Sequence, residues 1–196
     1  MKRRDTMPRT RKATIDDIGL IHEMAAEVFP ATYRDILTPE QIDYMMDWMY
    51  SPESLERQIA EEGHVYFIVY ENDKPAGYVS VQAQDENLFN LRKIYVLPAS
   101  QGLHLGSFLL DVAIRYVREI HPEPCMLELN VNRYNKALGF YERIGFRKLR
   151  QGDFPIGGGY FMNDYIMGME IGPGSAQNLT ERPKPDGVGP RPTSTE

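Results

Sequence analysis

The sequence predicts an α+β fold, a mixed central β-sheet flanked by helices, and three observations carry that prediction. Up to Gly63 the apolar side chains recur at helical spacing; after it the pattern changes to the alternation of strands; from Leu91 onward strands and helices take turns. Helices first, then an antiparallel meander, then strand–helix–strand–helix–strand puts the helices on the faces of one sheet whose middle strand pairs are parallel.

Arg11 to Ile15 reads as a first strand, and Thr14-Ile15-Asp16-Asp17 as a capping signal that opens a helix running to about Phe29. Ile18, Ile21, Ala25 and Val28 form its apolar face. Phe29 to Asp35 is read as an aromatic and polar loop. Thr38 caps a second helix with Pro39 in its first turn and Ile42, Met45, Met46 and Met49 inward. Ser51-Pro52-Glu53 opens a third, stopping at Gly63.

His64 to Tyr70 and Ala76 to Gln84 are rich in β-formers and flank the turn Asn72-Asp73-Lys74-Pro75, so they make a hairpin. Leu91 to Val96 is the next strand, followed by a helix from His104 or Leu105 to Ile120, ended by Pro122 and Pro124. Cys125 to Val131 is a strand, Asn135 to Ile144 a helix stopped by Gly145. Strands at about Phe146 to Arg150 and Met162 to Glu170 close the domain, with Gly157-Gly158-Gly159 between them.

A chain of 196 residues, 42% of them apolar, suits one domain with a real core. The ends are expected to lie outside it, which divides the chain into a disordered basic arm (1–10), a folded domain (11–171) and a disordered Gly/Pro-rich tail (172–196). The single Cys125 forms no internal disulfide, and no apolar run approaches the roughly 20 residues a membrane span needs. A reducing, cytoplasmic setting with no membrane partner is expected. The first twelve residues carry +5 and the tail is neutral, which leaves a net charge of −11 on residues 13–171. A nucleic-acid partner would need a basic face, so none is expected; a cationic small molecule or a basic peptide suits that field better.

The organising stretch is Leu91 to Asp111, LRKIYVLPASQGLHLGSFLLD: strand, short loop, helix start. A helix start leaves backbone N–H groups unpaired and carries partial positive charge, so it favours an anion. Gln101 leads into the loop, Gly102 and Gly106 let a ligand approach, and Ser107 offers a hydroxyl.

That loop and the segment Asn135-Lys136-Ala137-Leu138-Gly139-Phe140-Tyr141-Glu142-Arg143-Ile144-Gly145-Phe146, at this separation, resemble the GNAT N-acetyltransferases over about residues 11 to 171. The resemblance implies the GNAT acyltransferase fold and acetyl transfer from acetyl-CoA, by direct attack, to a primary amine. The acceptor classes implied are a small polyamine-like cation and a protein or peptide amine. Lys93-Ile94-Tyr95-Val96-Leu97 and Asp164-Tyr165-Ile166-Met167 are similar to the polyamine-acetylating members. No metal is called for, and a homodimer is left open.

By this resemblance the main chain of Ile94, Tyr95 and Val96 pairs with the pantetheine arm and supplies an oxyanion donor. The diphosphate rests on Gln101, Gly102, Leu103, His104, Leu105, Gly106 and Ser107. Asn135 holds a pantetheine amide, and Tyr141 protonates or hydrogen-bonds the departing thiolate. Phe29 and Tyr33 line the acceptor pocket. The family's loop pattern is Q/R-x-x-G-x-G/A, so His104 replaces a glycine; it is expected in the helix's first turn, facing phosphate, where glycine would cost some helix propensity.

The general base is not evident. Relatives often place a carboxylate where Arg92 and Asn130 stand here, which leaves Glu128, Glu86, Asp85, Tyr95 and His64 as candidates. These departures motivate an alternative, a non-catalytic acyl-CoA-binding regulatory or interaction module.

Overall fold

The structure, a computed structural model, describes residues 7–172, so most of the predicted arm and tail lies outside the described residues. Among the described residues seven strands, β1 (Arg9–Lys12), β2 (Val65–Glu71), β3 (Lys74–Asp85), β4 (Leu88–Val96), β5 (Cys125–Asn132), β6 (Arg147–Gly157) and β7 (Tyr160–Ile171), form one sheet in the order β1-β2-β3-β4-β5-β7-β6. Among the described residues β4 and β5 are the one parallel pair, so the parallel middle is narrower than expected.

Alternation along the strands separates two cores. Phe67 and Val69 of β2, Val79 and Val81 of β3, and Ile94 and Val96 of β4 face α4 (Leu105–Ile120) and α5 (Leu138–Ile144). Tyr66, Ile68, Tyr78 and Tyr95 face the other way, onto α1 (Ile18–Tyr33), α2 (Pro39–Tyr50) and α3 (Pro52–Ala60). The sheet is therefore the middle layer, and what lies on its two faces meets wherever strands part.

The helix starts follow the sequence. The Thr14 amide donates to Asp17 Oδ2 (2.8 Å), Thr38 Oγ1 accepts from the Gln41 amide (3.2 Å), and Ser51 Oγ accepts from Ser54 (3.4 Å). The first of these corrects the expected strand at Arg11–Ile15. Capping commits the backbone of Thr14, so β1 ends at Lys12.

Phe29–Asp35 is also not a loop throughout, because α1 continues through Pro30 to Tyr33. A proline so close to a helix end removes one donor, and Thr32 Oγ1 donates to the Val28 carbonyl (2.7 Å). Burial of Phe29 and Tyr33, rings 4.5 Å apart, rewards the extra turn.

The β2–β3 turn is tighter than predicted. Asn72 and Asp73 both take left-handed φ (48° and 63°), and Lys74 and Pro75 already belong to β3. α5 begins three residues late because Asn135 Oδ1 accepts from the Ala137 amide (2.8 Å), a local turn that competes with helix.

Candidate active site

β4 and β5 pair only from Leu88–Asn90 against Met126–Glu128, and beyond that they part. The cause lies in the register with β3. Ser80 opposes Lys93 and Val81 opposes Leu91, which leaves Arg92 as an extra residue, a bulge that bends and twists β4. Past the bulge β4 keeps β3 on one edge and, among the described residues, has no strand on the other. At its end β3 comes so close that a Cβ on Gly77 would lie 2.4 Å from the Tyr95 carbonyl oxygen, so this position requires glycine.

A cleft of about 500 Å³ follows the free edge. Of the predicted donor-binding residues, Ile94, Tyr95, Val96, Gln101, Gly106 and Asn135 line it, and so does Tyr141; Gly102, Leu103, His104, Leu105 and Ser107 do not. Gln101 Nε2 donates to the Val96 carbonyl (3.3 Å), tying the loop to the strand end. A Cβ at Gly106 would rest 3.5 Å from the Phe140 ring, an ordinary contact, so packing here accepts the alanine that the family pattern allows.

His104 corrects an expectation. It precedes the first turn of α4 at φ 59° in the left-handed region, its side chain exposed. A glycine in the family pattern is explained by that φ, and glycine at this position would relieve strain instead of costing helix propensity.

A second cleft, of about 330 Å³, opens on the α1–α3 face. Phe29 and Tyr33 both line it, and Tyr33 also lines the first. Tyr33, Leu91, Arg92, Lys93, Tyr95 and Asn130 belong to both clefts and mark where they join. The Tyr33 and Tyr95 hydroxyls are 3.4 Å apart there. Burial pushes Tyr33, Tyr95 and Tyr141 above the ordinary phenol range, so all three stay protonated. Tyr141 is thus tuned away from proton release and toward hydrogen-bond donation.

The charges of the second cleft are mostly committed. Arg57 Nε meets Glu62 Oε1 at 2.9 Å, and Glu62 Oε2 is 3.6 Å from His64 Nε2. Lys93 is 7% exposed, lies 5.3 and 5.5 Å from the Tyr50 and Tyr66 ring centres, and gives Nζ to Gln58 Oε1 at 2.6 Å. Burial first, and Arg92 second, bring its ammonium down to about 7. Among the described residues Arg92 makes no ion pair or hydrogen bond within the protein.

The expected base candidates fare poorly. Glu128 is buried and gripped by both terminal nitrogens of Arg150 (3.1 and 2.8 Å). Asp85 and Glu86 are exposed at the β3–β4 turn, away from both clefts. His64 is buried, and desolvation, followed by the field of Lys93, lowers it to about 3.

Of the two carboxylates that line the second cleft, Glu62 is held by Arg57, and the other, Asp164 of β7, is one that the sequence did not place among the base candidates. It is 5% exposed, and its Oδ1 is buried without a hydrogen-bond partner. Desolvation lifts it to about 6, against the pull of the Asn130 amide and the Arg133 guanidinium. A signal was present. Met162, Asp164 and Ile166 alternate onto the buried face of β7, and an acid on a core face is out of place unless used.

Among the described residues no group of three or more His, Cys, Asp or Glu is placed to hold a metal, and no helix is long and apolar enough to cross a membrane.

Comparison with known proteins points in one direction. The family profile described as an acetyltransferase (GNAT) domain matches residues 34–154. An uncharacterized N-acetyltransferase of Escherichia coli (strain K12), YjgM, is 28% identical over 108 residues, 54% of this chain and 62% of its own length, so the likeness spans under two thirds of that relative. Among solved structures, the PaiA N-acetyltransferase of Thermoplasma acidophilum in complex with coenzyme A superposes with a TM-score of 0.68 at 23% identity, covering 83% of this chain and 98% of that one. The spermidine/spermine N-acetyltransferase SpeG of Vibrio cholerae gives 0.59 at 20%, covering 84% and 95%. At these identities the structural likeness establishes a shared fold.

Proposed function

The chain belongs to the acetyltransferase (GNAT) domain family, and on that premise we propose that it is an N-acetyltransferase moving the acetyl group of acetyl-CoA to a primary amine by direct attack. The observation that carries this reading is the junction of the two clefts: the free edge of β4 on one side and, on the other, the buried carboxylate of Asp164, one oxygen of which has no hydrogen-bond partner among the described residues.

Acetyl-CoA is the donor substrate. The unpaired main chain of Ile94 to Val96 suits an extended amide-bearing arm, which would add to the sheet as a strand does. Residues 101 to 107, with the start of α4, would take the diphosphate. Asn135 would hold a pantetheine amide with the part of its side chain not engaged with Ala137. An N–H of residues 94–96 would stabilise the thioester oxygen as it gains charge, a contribution of roughly 3–4 kcal/mol.

The amine enters beside Phe29 and Tyr33. Polyamine-like cations and protein or peptide amines are the acceptor classes the resemblance implies. As its nitrogen bonds to the carbonyl carbon and the carbon–sulfur bond breaks, the amine's proton passes to Asp164, directly or through water. A carboxylate near pH 6 is ionised at neutrality yet basic enough to help. Tyr141 donates its hydroxyl to the departing sulfur.

The test pairs two measurements. Acetyl-CoA at a hundred times its Kd should stabilise the fold by about 2.7 kcal/mol. Thiol release from acetyl-CoA should then depend on an added amine. Stabilisation without release from any amine would leave a non-catalytic acyl-CoA-binding module.

A further inference from the structure

The second cleft also bears on the acceptor, given the transferase reading. Its lining holds three basic side chains, Arg57, Arg92 and Lys93, and two carboxylates, Glu62 and Asp164. Glu62 is taken by Arg57, and Lys93 is held by Gln58 between two tyrosine rings. If Asp164 takes the reacting amine's proton, no carboxylate of the lining is left for a second ammonium. A polyamine would bring one or more further positive charges beside Arg92, which among the described residues feels the field of Glu62 but forms no ion pair with it or with any other carboxylate.

What the cleft lacks is an anion. Arg92 occupies the β4 bulge and lines both clefts, so its guanidinium serves the place where an amine would meet the thioester. Much of the remaining lining is apolar, including Phe29, Met45, Met49, Ile156 and Met162. We propose that the acceptor is a small zwitterion, an α-amino acid with an apolar side chain, whose carboxylate pairs with Arg92 while its amine faces the thioester and its side chain meets the apolar lining.

About 330 Å³ lies at the small end of the range for small-molecule sites. The acidity of the domain as a whole does not oppose this. A zwitterion carries no net charge, and at contact distance one guanidinium outweighs charges more than a Debye length away, about 8 Å at physiological salt. Arg is also suited to the task, since its fork binds a carboxylate through two parallel hydrogen bonds.

The experiment uses matched acceptors with the full chain at saturating acetyl-CoA: L-methionine and L-phenylalanine, their carboxamides, spermidine, and a short Met-initiated peptide. The carboxamides have the less basic amines, so reactivity alone favours them and biases the assay against the proposal. The expected result is a kcat/KM about tenfold to a hundredfold higher for the free amino acids than for their carboxamides, the range of a charged hydrogen-bonded pair. Arg92→Gln should bring that ratio to about one, and Arg92→Lys should restore part of it. Among the described residues Arg92 makes no hydrogen bond or ion pair that the fold would lose, so both variants should fold.

Carboxamides, spermidine or the peptide matching the amino acids would overturn the proposal and leave the transferase reading standing. So would an Arg92→Gln effect equal for every acceptor, which would place Arg92 on the thioester oxygen. Failure of all acceptors to release thiol would remove the transferase reading and this inference with it.

Discussion

The cleft along the free edge of β4 is assembled mainly from two continuous runs, Leu91 to Gly106 and Leu129 to Tyr141, whereas the cleft across Tyr95 from it draws on α1, α2, α3, β4, β5, β6 and β7. In the first, main-chain groups are what the proposed donor would meet: an unpaired strand edge and a helix start. Backbone geometry repeats wherever the same turns occur, so one side can be shared across a family. The second relies on side chains such as Arg92 and Asp164, each carried by a different element. As the proposed acceptor site it could change its substrate without disturbing the first, one substitution at a time.

If that contrast holds, the acceptor side should respond to loss of charge and the donor side to movement of backbone. The largest expected effect is from Asp164→Asn. Losing a general base should lower kcat by about a hundredfold or more, at unchanged affinity for acetyl-CoA. The low-pH limb of kcat/KM, which falls as Asp164 protonates near 6 in the wild type, should disappear.

Stability should move the other way. A carboxyl raised from 3.8 to about 6 helps the fold while protonated and loses that advantage as pH rises through 6, roughly 2–3 kcal/mol in all. The variant should therefore gain thermal stability over the wild type between about pH 4 and 6 and keep the gain above. An unchanged rate would mean that Asp164 is merely a tolerated buried acid.

Next in size is Gly77→Ala on the donor side. Its methyl would collide with the Tyr95 carbonyl, so β3 and β4 must shift at the free edge. A loss of about 1–3 kcal/mol in denaturant unfolding is expected, with a raised KM for acetyl-CoA. A raised KM for the acceptor alone would contradict the division between the clefts.

Tyr141→Phe keeps the ring in its pocket and removes the hydroxyl. A tenfold fall in kcat, about 1.4 kcal/mol, is expected with cofactor affinity nearly unchanged. An unchanged rate would assign Tyr141 to packing. The smallest effect belongs to His104→Gly, which should gain up to about 1 kcal/mol of stability from the relieved φ and change chiefly the KM for acetyl-CoA. A hundredfold loss of kcat would instead make His104 catalytic.

The sequence by itself determined the order of the elements, because helix starts and turns are local chemistry. Thr38-Pro39 and Ser51-Pro52 cap where they were expected to, and the 101–106 loop with α4 behind it was readable from glycines and spacing alone. Local chemistry was also where the boundaries slipped. The first helix was expected to end at about Phe29, but the burial of Phe29 and Tyr33 against Tyr95, which lies far along the chain, added another turn.

Only the tertiary structure decided the second cleft. That Arg92 is a bulge residue depends on its register with β3, and that Asp164 meets Asn130 and Tyr33 depends on β7 inserting between β5 and β6. No spacing in the chain encodes either. Sequence separation carries backbone motifs well because their parts are covalently adjacent, while an acceptor site is a meeting of side chains whose distances are set by how the sheet is ordered and where two of its strands part.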